Sequence, residues 1–172
     1  MPRLPEVSTP NAGNQATFDY LMKTRGAVRG GFAVMMASPD IAQRVAHVGT
    51  YVRFDSPVDK LFRELASTVA SVEMKNPAEY VLHSRELQRM GVSEGLIKAI
   101  LDGAPIEGAS ADEALAIAFA RELTREHRLS DATFEAARQR LGDAGVVDLM
   151  ATVGYYAMLA VCHVALAIPA PK

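Results

Sequence analysis

Cysteine is nearly absent: Cys162 is the only one in 172 residues. A single thiol excludes an internal disulfide, a CxxC redox pair and a zinc site built from several cysteines. It is also the usage of a reducing compartment, so a cytoplasmic location is expected. Tryptophan is missing altogether, which excludes nothing. No excess of charge exists either: 18 basic and 20 acidic residues leave a net charge of −2. That balance removes the electrostatic ground for a nucleic-acid or anionic-membrane partner, and neither is expected. The first ten residues, Met1 to Pro10, carry one arginine and no apolar run, so they do not read as a signal peptide. Their three prolines favour an extended arm over residues 1–12 that wraps a neighbouring surface. No five-residue stretch alternates as a strand demands.

What is present is apolar and helical. Hydrophobic residues make up 49 % of the chain, and its length suits one globular domain, read here as residues 13–168 with a tail at 169–172. Such a chain can bury about two-thirds of its surface without disulfides or a structural metal. Helix starts recur. Ser38-Pro39-Asp40 precedes an amphipathic segment to about Tyr51. Ser56-Pro57 offers an N-cap followed by proline at the first helical position. Asn76-Pro77-Ala78-Glu79 repeats the pattern and adds a carboxylate at the capping-box position. Gly91 stops that helix, Ser93 opens a short one to about Leu101, and residues 102–108 form a loop. Ser110-x-x-Glu113 is a second capping box, Ser130 opens a further helix, and Gly142 and Gly145 separate it from the last one. The expected fold is all-α, with about seven to nine helices and short loops.

From Leu149 to Ile168 the only strongly polar side chain is His163. About 20 such residues are long enough to cross a bilayer. Thr152, Gly154, Tyr155 and Tyr156 lower the hydropathy, and no basic cluster anchors the end. A helix buried inside the protein or its oligomer is therefore expected.

Candidate chemistry concentrates between Ser56 and Gly91. The first helix there places Val58, Leu61, Phe62, Leu65, Val69 and Val72 on an apolar face. Glu64 lies one step off that face, with Thr68, Ser71 and Lys75 following at helical spacing. The second helix carries Glu79, Tyr80 and His83. Glu79 and His83, four apart, share a face, and Leu87 and Met90 draw His83 inward. The short connection at Lys75–Asn76 makes the two helices antiparallel neighbours, so Glu64, Glu79 and His83 are expected to meet as a sheltered acid/base cluster. Each residue also has a plainer role. Glu79 can serve as a capping-box acid, Glu64 can pair with Lys60 or Arg63, and His83 can be a core histidine satisfied by a carbonyl. The same three side chains have ligand types suited to a divalent ion, with His47 or His163 as additional ligands.

These residues resemble the carboxymuconolactone decarboxylase / alkylhydroperoxidase D-like family. The match runs through Arg63-Glu64-Leu65, Ala78-Glu79-Tyr80-x-x-His83 and Gly91-Val92-Ser93. It extends upstream to Phe32-Ala33-Val34-Met35-Met36 and Gly49-Thr50-Tyr51-x-Arg53-Phe54. Downstream it reaches Phe119-Ala120-x-Glu122-Leu123, Ser130-Asp131 and Val153-Gly154-Tyr155-Tyr156, covering roughly residues 25–168. In the peroxidase branch, the resemblance places a glutamate at Glu64, a histidine at His83, and two cysteines at the positions of Asn76 and Glu79. Both thiols are missing here, and disulfide-based peroxide reduction needs both. The Glu-Tyr-x-x-His form is instead similar to the decarboxylase-like branch.

The resemblance implies an alkylhydroperoxidase D-like bundle and a carboxy-lyase acting on a small unsaturated lactone or carbonyl acid. It implies no metal and no organic cofactor. His83 is then the proton donor, Glu64 orients it, and Glu79 is a second acid/base or polarising group. Tyr80 and Arg53 are expected to bind substrate, with Arg53 offsetting the two carboxylates. Homo-oligomers (dimer, trimer or hexamer) are implied as well. The alternatives are a peroxidase-type member and a non-catalytic binding or assembly protein on the same scaffold.

Overall fold

The computed structural model describes residues 1–169; of the expected tail, residues 170–172 lie outside the described residues. Eight α-helices and no strand occur among the described residues: α1 (Gln15–Arg25), α2 (Gly31–Met35), α3 (Pro39–Thr50), α4 (Lys60–Glu73), α5 (Pro77–Arg89), α6 (Glu94–Leu101), α7 (Ala111–Arg125) and α8 (Asp131–Leu166). A π-type turn, Tyr51–Asp55, continues α3 and closes with a 2.8 Å bond from Ser56 N–H to the Tyr51 carbonyl.

Helix α4 is the centre of the bundle, packed by α5, α6, α7 and α8. Phe62, Leu65, Ala66, Val69 and Ala70 are fully buried. Between them, Ser67 and Thr68 are buried too, which their size permits and their hydroxyls make tolerable: each donates to the carbonyl one turn back, Arg63 at 2.6 Å and Glu64 at 2.8 Å. Small side chains on this flank let the neighbouring helices approach closely.

The start of α4 differs from the sequence expectation. Asp59 is the N-cap, accepting from Leu61 N–H at 2.8 Å, and the helix begins at Lys60 rather than Pro57. Ser56 is engaged elsewhere. Its hydroxyl donates to Asp148 on α8 at 2.7 Å and accepts from Val58 N–H at 3.2 Å, while Tyr51 also donates to Asp148 at 3.1 Å. The π-turn is thereby fastened to α8, and a polar tie across the bundle outcompetes a local cap.

Helix α5 begins at Pro77 as read, yet Asn76 makes no side-chain capping bond. The boxes at Ser110/Glu113 and the Ser93 and Ser130 caps form as expected. Gly142 (φ 72°) breaks α8; Gly145 does not, and sits buried inside its second half.

The last helix is buried on one face only. Leu149, Val153, Tyr156 and Ala160 point into the core, whereas Val147, Met150, Gly154, Met158, Val161 and Ala165 form an exposed stripe. Helix α8 is long and apolar enough to cross a membrane, with a mean hydropathy of 1.7 over its most apolar 18 residues. The N-terminal arm runs over the end of α8 and α2: Arg3 N–H donates to Leu166 O at 2.9 Å, Arg3 Nη1 to Ala165 O at 3.1 Å, and Val7 N–H to Ala33 O at 2.9 Å.

One close approach tests this packing. A methyl added at Gly49 on α3 lies 2.2 Å from Tyr155 Oη and 2.4 Å from its Cζ. The Tyr155 ring is buried on α8 and has little room to retreat. Gly49→Ala is expected to lower the unfolding free energy by about 1–3 kcal/mol. In a Tyr155→Leu background the same change is expected to cost much less. Urea unfolding of the four proteins checks the non-additivity.

Candidate functional site

The antiparallel α4–α5 hairpin brings Glu64, Glu79 and His83 together. His83, 5 % exposed, places Nδ1 2.7 Å from Glu64 Oε2, and its Nε2 lies 3.8 Å from Glu79 Oε2. Both carboxyls keep an edge at the surface, with side chains 18 % and 19 % exposed. The plainer roles are taken by other groups. Lys60 pairs with Glu86 at 2.5 Å. Arg63 donates to the carbonyls of Val58 (2.8 Å) and Val52 (3.4 Å), and also to that of Arg53, capping the π-turn. Glu64 is left to His83. Glu79 forms no capping box, since no side-chain bond ties Asn76 to the first turn of α5.

Burial opposes a charge on His83, but the hydrogen bond to Glu64 and the nearby Glu79 carboxyl outweigh it and raise the imidazole above its ordinary 6.5. Burial likewise pushes Glu79 up, yet the His83 imidazole 3.8 Å away, with the more distant His163 and Arg53, brings it below its ordinary 4.5. Two carboxyls side by side can be tolerated in two ways, by protonating one or by supplying cations. For Glu79 the structure favours the second.

Arg53 stands on the exposed outer side of the π-turn, its guanidinium 4.9 Å over the Phe54 ring. Its charge reaches Glu79, but no hydrogen bond joins it to the cluster. Tyr80 is half-buried on α5, and its hydroxyl makes no hydrogen bond among the described residues. The aromatic ring against His83 is Tyr156 of α8, edge-on at 4.6 Å between centroids and 83° between planes. Nothing local in the sequence marks Tyr156 as a site residue. Its place depends on α8 crossing α4 from far along the chain.

His163 lies at the Glu79 end, close enough to feel its charge. Its Nε2 would sit 3.0 Å from a methyl at Gly31, so glycine there leaves space for the ring. His47 lies elsewhere, stacked on Tyr20 at 4.0 Å. Among the described residues no group of three His, Cys, Asp or Glu side chains is arranged to hold a metal ion. Two surface depressions, of about 370 Å³ beside Val58 and Arg140 and about 260 Å³ between Met74 and α8, lie apart from the cluster. Cys162 is a half-buried thiol on α8, and burial pushes its pKa up, away from the reactive thiolate form.

Residues 39–122 match the model of the Carboxymuconolactone decarboxylase family. No curated protein matches the chain. Solved structures share its fold. An alkylhydroperoxidase AhpD core, an uncharacterized peroxidase-related protein from Ralstonia eutropha JMP134, aligns with a TM-score of 0.75 at 16 % identity, covering 98 % of this chain and 90 % of that one. An uncharacterized peroxidase-related protein from Silicibacter sp. TM1040 aligns at 0.72 and 20 % identity, covering 99 % and 91 %. A cysteine-to-alanine variant of the debrominase Bmp8, in complex with 2,3,4-tribromopyrrole, aligns at 0.72 and 13 % identity, covering 100 % and 95 %. Residues 39–122 thus belong to the Carboxymuconolactone decarboxylase family, on a fold shared with alkylhydroperoxidase AhpD-like structures and without the CxxC cysteines.

Proposed function

We propose that the chain is a cofactor-independent acid/base enzyme, a decarboxylase-like lyase acting on a small unsaturated lactone or carbonyl acid. The observation that carries this reading is an imidazole held between two carboxyls at 2.7 Å and 3.8 Å, with both carboxyls open at one edge. In such a reaction the C–CO₂⁻ bond breaks and its electron pair is delocalised through the alkene onto the carbonyl oxygen. A proton must then be added at the far carbon. His83, held toward its protonated form, donates that proton. Glu64 fixes the ring from the Nδ1 side and leaves Nε2 toward Glu79 and the substrate. The imidazole then regains its proton from solvent at the open edge beside the ionised Glu79, and Arg53 offsets the substrate's charge.

Peroxide reduction is disfavoured, because Asn76 and Glu79 occupy the positions of the two thiols and Cys162 is the lone cysteine. We further propose that the apolar stripe from Val147 to Ala165 is covered by another copy of the chain. Six residues without a polar side chain face outward over five turns of this helix, the kind of exposed apolar face that marks an interaction site. A Met150→Asp/Val161→Asp double variant is expected to shift the protein to monomer by light scattering. An unchanged mass would remove this assignment.

The main test is a turnover screen of unsaturated lactone acids, read by CO₂ release and product NMR. His83→Ala is expected to lose about 10²–10⁴-fold in kcat. Activity should fall as pH rises through the raised pKa of His83, since the donor is then lost. Full turnover by His83→Ala would remove the assignment.

The same cluster sets a pH window for stability. A raised His83 contributes most below its ordinary 6.5, and that contribution is lost as pH climbs through its folded value. A lowered Glu79 contributes above its ordinary 4.5, and that contribution is lost as pH drops through its folded value. Wild type should therefore exceed His83→Gln by the widest margin, about 1–3 kcal/mol, between those two ordinary values. Urea unfolding at several pH values measures the gap.

A further inference from the structure

Two buried polar side chains have no partner, and both lie at the closed end of the hairpin that carries the cluster. Asn76 is 3 % exposed, with neither its amide nitrogen nor its amide oxygen hydrogen-bonded, and the hydroxyl of fully buried Ser71 is equally idle. The neighbouring hydroxyls on α4, Ser67 and Thr68, both donate one turn back; Ser71 alone of this run does not. Asn76 N–H donates to the Ser71 carbonyl at 2.7 Å, which fixes the two residues side by side.

Their register matters. On α5, Asn76, Glu79 and His83 fall at i, i+3 and i+7, one face of the helix; on α4, Glu64 and Ser71 fall two turns apart on one face. The facing stripes make one polar seam, with the acid/base groups at one end and two unengaged hydrogen-bonding groups at the other. Asn76 is also the N-cap of α5, a helix of 13 residues, and its side chain leaves the first-turn N–H groups uncapped.

A buried polar group without a partner costs free energy, on the order of 1–3 kcal/mol. Leucine has nearly the shape of asparagine and would avoid that cost. In native proteins such an uncompensated group calls for an explanation beyond packing. No hydrogen bond commits the Asn76 amide, so both its donor and its acceptor are available to an incoming oxygen.

We propose that Asn76, seconded by Ser71, is a positioning residue of this site: its amide N–H donates to a carbonyl or carboxylate oxygen of the bound acid and so orients the molecule along the seam toward His83. This rests on the acid/base reading above and deepens it. The ligand class is a small unsaturated oxyacid, with one oxygen toward the Asn76 end of the seam and the carbon that receives the proton toward His83. The free N–H groups of the α5 first turn reinforce an oxygen at that place.

The test uses the full chain, with maleate as the probe, a small unsaturated dicarboxylate. In ¹⁵N-labelled protein the Asn76 side-chain amide signal is assigned by its loss in Asn76→Leu, and the His83 ring signals are followed alongside. The expected result is a saturable shift of the Asn76 amide with maleate. Affinity should fall at least tenfold in Asn76→Leu and severalfold in Ser71→Ala, while neither variant unfolds at lower urea than wild type. The proposal is overturned if either variant is destabilised with maleate affinity intact, which would make the group structural. It is also overturned if His83 responds to maleate and the Asn76 amide does not, an outcome that leaves the acid/base reading standing. If neither signal moves, or if a crystal structure finds an ordered water as the amide's only partner with maleate bound elsewhere, the proposal likewise fails.

Discussion

Glu64 stands on a helix that four others enclose, and its carboxyl has one buried partner, the His83 imidazole at 2.7 Å. This bond joins α4 to α5 across the hairpin and sets the orientation of the ring. Desolvating such a pair is costly, and well-packed hydrocarbon of the same volume would hold two helices together at least as well. Stability alone therefore gives no reason for an imidazole between two acids here. The energetics differ for single changes: removing one member leaves charge stranded against the core, so the three groups behave as a unit.

Much of this was legible in the sequence, and the physical reason is locality. The caps at Ser93, Ser110 and Ser130, and the start of α5 at Pro77, are decided within a few residues, and they appear where the sequence places them. The meeting of Glu64, Glu79 and His83 was legible because the i,i+4 rule and a connection of only three residues leave a hairpin few other arrangements. What failed to show was decided at long range. Ser56 looks like a cap until Asp148, from ninety residues later, takes its hydroxyl. Gly145 looks like a break until burial in α8 shows it to be a packing position. Tyr156 gives no hint that its ring closes over His83.

Glu79 shows how a local and a tertiary claim on one carboxyl are resolved. As a capping-box acid it would turn back to the Asn76 N–H, but that N–H already donates to Ser71 across the turn. With the local donor taken and His83 one turn ahead on the same face, the carboxyl faces the imidazole. The short turn thus does two things at once. It packs α5 against α4, and by occupying the backbone donor it releases Glu79 for the cluster. Lys75, held at φ 55°, supplies the left-handed step that such a tight turn requires.

The charge arrangement follows from the same geometry. Two acids and one imidazolium leave a net negative cluster, which would repel an anion if it stood alone. Arg53 approaches the Glu79 side from the π-turn, while burial holds His163 on α8 toward its neutral form, so the compensating positive charge is that of the arginine. Glu64 stands on the enclosed helix α4, with its Oε2 engaged by Nδ1 at 2.7 Å. The Glu79 face of the ring is the one on which Nε2 is free of Glu64. The asymmetry gives two chemically identical side chains different places: one acid fixes the imidazole through Nδ1 at 2.7 Å, and the other stands beside Nε2 at 3.8 Å, one helical turn away on the same helix.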